Sequence, residues 1–391
     1  MKIAVISCID DSWGGSEELW YQMALSALKN GHNVSVSIRY TGTLAPKIIA
    51  LQERGLIVHK RRGYIPRGIK VWRRIATKIL HYGLNKLKSP YTDIKKERPD
   101  IIIYNSSLYQ PAEDIYFQKL LTVLPVPYII INQIVAEFSK PFVGIPSPAY
   151  NKIYQEAAKV YFVSKRNLET VKRQLCINLE NAEVVTNPVN LKDKSIVPFP
   201  IPINGQLNFA TVGNLLTHHK GQDIILAVLG KDTWRNKNWQ LHIYGKGAEE
   251  DYLKALCIHY KIEDKVTFHG HVSDIRQVWQ QAHILLMCSL MEGLPLAVVE
   301  AMLCGRPVIT TDVGGNREII TDGEDGFIAD SPTTHSLNKA LENAWASKEL
   351  WESMGQKAHI KANDYFKDDI GSILLNKILN ICDNAETNAN N

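Results

Sequence analysis

The amino-acid sequence predicts an α/β protein built from two doubly wound parallel-sheet domains in tandem. Three observations predict it. Short β-rich apolar runs alternate with longer segments of helical period, a proline-crowded stretch breaks that rhythm once, and the alternation then restarts. With 391 residues, 45% apolar and 22% charged, the chain can fill two cores, which excludes disordered and collagen-like classes.

Ile3–Cys8 reads as the first strand, and its apolar part before Asp10 is too short for a signal-peptide core. Asn33–Tyr40, Ile101–Tyr104, Tyr128–Ile131 and Val160–Val163 read as further strands, with Glu17–Leu28 and Arg166–Leu175 as helices between them. From Asn187 to Gly205 the residues Pro188, Pro198, Pro200 and Pro202 crowd together, which reads as a linker. Strands resume at Leu207–Gly213, Gln240–Tyr244, Val266–Gly270, Ile284–Met287 and Pro307–Thr310. The expected domains are therefore residues 1–190 and 205–364, with the polar residues 384–391 as a disordered tail. Two such sheets place a ligand cleft between their carboxyl ends. The longest apolar runs, Ile224–Gly230 and Ile284–Cys288, fall far short of the ~20 residues of a membrane helix. The six cysteines form no CxxC, which suits reduced thiols in a cytoplasmic protein.

The most informative segment runs from Met291 through Glu292, Gly293, Leu294, Pro295 and Leu296 to Glu300. Pro295 suits the first turn of a helix and Gly293 a tight turn before it. Backbone N–H groups at such a helix start suit a phosphate. Glu292 lies ahead of the turn, and Glu300 follows eight residues later, about two turns deeper at ~3.6 residues per turn. Two carboxylate acceptors flanking one anion site match what a nucleotide-linked sugar needs. A second segment, Phe209–Gly221, contains a strand ending at Gly213, then Asn214, and a loop able to aim Lys220 at a diphosphate, where a cation offsets developing charge. A third, Trp13-Gly14-Gly15-Ser16-Glu17, opens a helix after the first strand and lets backbone approach a phosphate or acceptor. G-x-G-x-x-G is absent, and no acid ends the second strand at Arg39-Tyr40, which argues against a dinucleotide site.

The Glu292/Glu300 pair within EGLPLAVVEAMLCGRPVI, trailed by DVGGNREII at 312–320, resembles the retaining glycosyltransferases of family four. The resemblance is specific over about residues 205–330 and generic before them. It implies the GT-B fold: two facing Rossmann-like domains, an interdomain cleft and a C-terminal crossover helix, here at about 365–383 with Ile373, Leu374, Ile378 and Leu379 docking it. By resemblance Glu300 would hold the ribose hydroxyls, Glu292 the transferred sugar, and the N–H groups from Gly293 to Leu296 sugar and phosphate. The glycine pair Gly14 and Gly15, with Ser16, would border acceptor and donor phosphate. The family usually carries Arg after the glycine at 213, where this chain has Asn214, so either neutral hydrogen bonds or another base holds the phosphate there. It often places His after the strand Tyr128–Ile131, where this chain reads Asn132-Gln133. Gln133 can hydrogen-bond a sugar hydroxyl but cannot act as a base. That is compatible with front-face displacement, in which the departing phosphate assists the acceptor proton and no nucleophilic carboxylate is required. Glu137 is a further candidate acceptor contact. The resemblance implies neither cofactor nor metal, the nucleotide sugar being a substrate; His218 and His219 are adjacent and point apart.

The net charge of +5 hides a split. Residues 1–195 carry 28 basic and 16 acidic side chains, a net of +12, while residues 196–391 carry 17 and 24, a net of −7. From Arg54 to Thr92 there is no acid, and Trp72, Ile75, Ile79 and Tyr82 recur at helical spacing. Residues 60–88 read either as a helix on an anionic membrane surface or as a domain helix with a solvated basic face. No stacking motif accompanies the charge, which argues against nucleic acid. The expected activity is metal-independent, retaining transfer from a nucleotide-diphosphate sugar to a hydroxyl or lipid-linked glycan acceptor. The expected setting is surface polysaccharide or glycoconjugate synthesis, in the cytoplasm or on the inner face of the membrane. Asn214 and Gln133 keep a non-catalytic sugar- or nucleotide-binding protein of this fold open. A nucleotide-sugar epimerase would need N-terminal acid/base residues that are not evident.

Overall fold

The computed structural model describes residues 1–7, 13–40, 42–62, 89–138, 140, 142–366 and 369–390. The chain divides into two units, Met1–Pro188 with Asp368–Asn391, and Val189–Lys367.

The first unit holds seven strands: β1 (Lys2–Ser7), β2 (Asn33–Tyr40), β3 (Ile57–Arg62), β4 (Ile101–Ser106), β5 (Tyr128–Asn132), β6 (Lys159–Phe162) and β7 (Ala182–Val184). They pair in parallel in the order 3-2-1-4-5-6-7. β1, β4 and β5 are buried on both faces, which is why they read as unbroken apolar runs. Successive side chains point to opposite faces. Ile3, Val5, Ile101 and Ile103 pack with Leu19, Trp20 and Met23 of the helix Glu18–Lys29, while Ala4, Ile6, Ile102 and Tyr104 pack with Phe117, Leu120 and Val171.

The last helix, Ile370–Asn390, belongs to this unit and lies against the helix Glu18–Lys29. Leu374, Leu375 and Ile378 are buried there, whereas Ile373 is exposed. A Cβ on Gly371 would stand 2.5 Å from the Gln22 backbone, so glycine sets the closeness of the two helices. Residues 384–390, expected as a disordered tail, continue the helix; they are polar but contain neither Gly nor Pro to stop it.

Lys60, Arg61 and Arg62 form the end of β3 and so do not begin a basic helix. Arg61 is buried, donating to the Tyr91 hydroxyl at 2.8 Å and to the Ser7 carbonyl. The remainder of that basic stretch, with Arg67, Lys70, Arg73, Arg74, Lys78, Lys86 and Lys88, lies outside the described residues.

The second unit holds β8 (Leu207–Val212), β9 (Trp239–Tyr244), β10 (Val266–Gly270), β11 (Ile284–Leu286), β12 (Val308–Thr311) and β13 (Gly326–Ala329), all parallel, in the order 10-9-8-11-12-13. Phe209, Leu241, Ile284 and Ile309 pack one face against Leu226, Trp234, Leu341 and Trp351. In each sheet the strand order reverses once, between β1 and β4 and between β8 and β11, and loops at such a switch point form the ligand site of doubly wound sheets.

The proline-rich stretch departs from the linker reading. Residues 189–205 belong to the second unit. Prolines have no N–H, so the carbonyls of this strap need outside donors. Arg306, fully buried, supplies them to Val197 at 2.9 Å and Pro198 at 2.7 Å, and also donates to Ala282, Cys304 and Trp279. Arg276 donates to the carbonyls of Asp193 at 2.8 Å and Ser195 at 2.7 Å. Among the described residues no helix is long and apolar enough to cross a membrane.

Candidate functional site

In the second unit the loops after β8 and β11 meet at the switch point. β8 ends one residue before Gly213, and a single helical turn, Thr217–Lys220, leads to Gly221. Gly221 has φ +60°, and a Cβ there would stand 2.1 Å from the Cys288 carbonyl oxygen. Only glycine permits that approach. It lets the Leu290 N–H donate to the His219 carbonyl at 2.9 Å, so the two loops are laced together.

This lacing brings Lys220 to Glu292. Lys220 Nζ lies 2.5 Å from Glu292 Oε1, and Ser289 Oγ donates to the same oxygen at 2.7 Å. Glu292 is only 5% exposed, so the charges are held together in a largely desolvated place. Ser289 is itself fixed by Thr311 Oγ1, which donates to its carbonyl at 2.6 Å. The glycines of the DVGG run complete the brace. Gly314, at φ +52°, would place a Cβ 2.4 Å from the Glu292 carbonyl oxygen, and the Gly315 N–H donates to the Gly293 carbonyl at 2.8 Å. Beside Lys220, burial and then the neighbouring ammonium push His219 below the ordinary imidazole range, which favours the neutral ring.

Two expectations change at the helix. It spans Leu296–Leu303 with Pro295 as the residue capping it, so Pro295 precedes the first turn rather than filling it. Pro295 also has no N–H to offer, which leaves Gly293, Leu294 and Leu296 as the backbone donors of the turn. Because the helix begins at Leu296, Glu300 lies one turn in, about 6 Å at 1.5 Å per residue, not two. Asn214 is exposed, and its carbonyl accepts from Gln222 Nε2 at 2.9 Å. Lys246, whose carbonyl accepts from the Leu215 N–H at 3.1 Å, runs its side chain alongside Gly270.

In the first unit Gly14 has an extended backbone, Gly15–Glu17 forms a 3-10 turn, and the helix Glu18–Lys29 follows. Glu17, which the sequence reading treats only as a helix start, is the hub here. Its buried carboxyl accepts from Ser7 Oγ, Trp20 Nε1 and Asn105 Nδ2, each at 2.7 Å. Burial outweighs those hydrogen bonds and Arg61, and pushes its pKa up to about 7. Asn105 Nδ2 also reaches the Ser16 carbonyl at 3.1 Å, so the glycine turn is pinned to the ends of β1 and β4. Gln133 joins this network: Nε2 donates to Asn105 Oδ1 at 3.1 Å, and Oε1 accepts from Asn187 Nδ2 at 2.8 Å. Glu137 is ion-paired with Arg166 at 2.6 Å. Among the described residues no group of three or more His, Cys, Asp or Glu is placed to hold a metal ion.

Residues 193–361 match the family model described as glycosyl transferases group 1. Over that segment the chain is similar to the group 1 glycosyl transferases. The matched segment is nearly the whole second unit, and it contains the laced Lys220–Glu292 site. An uncharacterized glycosyltransferase of Haemophilus influenzae is 31% identical over 156 residues, 40% of this chain and 44% of the relative. A human phosphatidylinositol N-acetylglucosaminyltransferase subunit is 26% identical over 337 residues, 85% of this chain and 65% of the relative. The chain thus spans less than two thirds of the length of either relative. The crystal structure of Anabaena HepE in complex with UDP-glucose superimposes with a TM-score of 0.72 at 17% identity, covering 97% of this chain and 99% of HepE. That likeness shows the fold: the chain has the GT-B fold.

Proposed function

We propose that the chain is a retaining glycosyltransferase of family four that moves a sugar from a nucleotide-diphosphate donor to a hydroxyl of a lipid-linked or surface glycan. The observation that carries this reading is the buried Lys220–Glu292 pair, braced by three loops at the switch point of the family-matched unit. Lys220 stands beside the diphosphate, where its ammonium offsets charge as the phosphate departs. Glu292 Oε1 is occupied by Lys220 and Ser289, which leaves Oε2 to accept a sugar hydroxyl. Glu300 takes the ribose hydroxyls, with Gly213, Asn214 and the N–H groups of Gly293, Leu294 and Leu296 around sugar and phosphate. The sugar–phosphate bond breaks as the acceptor oxygen bonds on the same face, and the acceptor proton passes to the departing phosphate oxygen. Neither metal nor cofactor takes part in that scheme. In the first unit, Gly14, Gly15, Ser16 and Gln133 border the acceptor, Gln133 through the second hydrogen of its Nε2.

HepE is crystallised with UDP-glucose, which supports a uridine-diphosphate sugar as donor. The human relative is named for phosphatidylinositol, which supports a lipid-linked acceptor and a peripheral place on an anionic membrane. Screening nucleotide sugars by thermal shift identifies the donor, since a ligand bound only by the folded state raises its midpoint. Glu300→Ala is expected to lower affinity for that donor by about tenfold or more, the scale of a lost charged hydrogen bond. Unchanged affinity removes Glu300 from the ribose role. Gln133, hydrogen-bonded at both ends of its amide, favours the non-catalytic reading. Donor binding with no nucleoside diphosphate released across acceptors would establish that reading instead.

A further inference from the structure

We propose that the loop bearing Phe138, Val143 and Ile145 is a membrane-insertion tip that enters an anionic lipid bilayer. It deepens the lipid-linked acceptor reading and rests on it.

Val143 is 100% exposed, Ile145 91% and Phe138 71%. The tip is built rather than slack. Phe142 is turned inward, with its ring 5.9 Å from Tyr109 and 5.2 Å from Tyr150, and those two rings lie 5.8 Å from each other. Gly144 turns the chain at φ +74°, and Lys140 Nζ clamps the turn by donating to its carbonyl at 2.8 Å while lying 4.8 Å from the Phe142 ring. One apolar side chain is thereby anchored and its neighbours on both sides of Gly144 are held in water. A side chain exposed on every side stands on a convex point, so what receives it must yield around it; a bilayer interface does.

Charge selects the kind of bilayer. Residues 136–175 hold seven basic and three acidic side chains. The acid nearest the tip in sequence, Glu137, is ion-paired with Arg166, and Glu113 accepts at 3.1 Å from the hydroxyl of Tyr150, the ring beside the anchored Phe142. Lys140 is exposed within the tip, and Lys152 and Lys165 are exposed farther along the chain. Apolar side chains flanked by ammonium groups match hydrocarbon lying beneath anionic headgroups. The loop also begins immediately beyond Gln133, at the end of β5. A tip seated in the bilayer brings lipid headgroups to the end of the sheet that carries Gln133 and the glycine turn.

The test is co-sedimentation of the full chain with phosphatidylcholine vesicles made with and without phosphatidylglycerol, at low and high salt. Wild type is expected to bind the anionic vesicles and to keep part of that binding at high salt, where purely electrostatic attraction is screened. Val143→Ser with Ile145→Ser is expected to lower the partition coefficient about tenfold or more. Val143→Phe with Ile145→Phe is expected to raise it, which guards against a folding artefact in the serine variant. Nucleoside diphosphate release with a water-soluble acceptor should match wild type in both variants, so loss of vesicle binding and loss of catalysis are read separately. Equal partition of wild type and serine variant overturns the proposal, as does absence of vesicle binding. Self-association without lipid that disappears in the serine variant also overturns it, in favour of a contact between copies of this chain.

Discussion

Lys220 and Glu292 are stable only as a pair. Lys220→Ala leaves a carboxylate with the Ser289 hydroxyl alone in a largely buried place, and is expected to cost about 3 kcal/mol of stability. Turnover should fall by about 100-fold or more, as when a developing charge loses its stabilising partner. Lys220→Met combined with Glu292→Gln should recover most of the stability and none of the turnover, which thermal melts and donor turnover measure together. Glu17 gives a pH signature. Its unfolded carboxyl ionises near 4.5 and its folded one near 7, so between those values the unfolded chain gives up a proton that the folded protein keeps. The contribution of this group to stability is full below about pH 4.5 and is lost as pH rises through about 7. Glu17→Gln should remove that slope from the melting temperature measured across the window; an unchanged slope would refute the assignment. The two residues differ in how visible they are in sequence. Glu292 and Glu300 share one short segment whose composition carries the family resemblance, although the helix starts at Leu296 and sets Glu300 nearer its start than the spacing predicts. Glu17 acquires its role only when β1 pairs with β4 and sets Ser7 opposite Asn105, a juxtaposition no local pattern encodes.

Elements show the same division between local and non-local causes. The central strands are apolar enough to be read directly, but β3 is hidden because its last residues are Lys60, Arg61 and Arg62, with Arg61 turned inward to Tyr91 and Ser7. The segment 189–205 has the composition of a hinge and the behaviour of a strap, because Arg306, far away in sequence, gathers its carbonyls. Arg306→Met keeps the volume and removes the donors. It should open that strap to limited proteolysis within 189–200 and destabilise the unit by about 3 kcal/mol or more, as several buried carbonyls lose their partners. Gly221→Ala tests the lacing. A Cβ 2.1 Å from the Cys288 oxygen forces the loops apart, so donor affinity should fall more steeply than melting temperature.

The molecule as a whole consists of one unit that is continuous in sequence and one that is not. Residues 189–367 have their own sheet and core, and expressed alone they should fold and show a thermal shift with a nucleoside diphosphate. Residues 1–188 alone lack the helix Ile370–Asn390 and with it the buried Leu374, Leu375 and Ile378 that complete their apolar core cluster, so they should aggregate until residues 369–390 are joined back. The charge imbalance visible in the composition belongs to that discontinuous unit, but its division between a buried Arg61 and exposed lysines such as Lys140 emerges only from the fold. The same discontinuity governs the order of events during translation. When Pro188 leaves the ribosome, the first unit still lacks a helix encoded some 200 residues downstream, a wait of about 10–40 s at ordinary elongation rates. The unit made second can close first, and the unit made first must remain unfinished, with an open apolar face, until the helix Ile370–Asn390 has emerged.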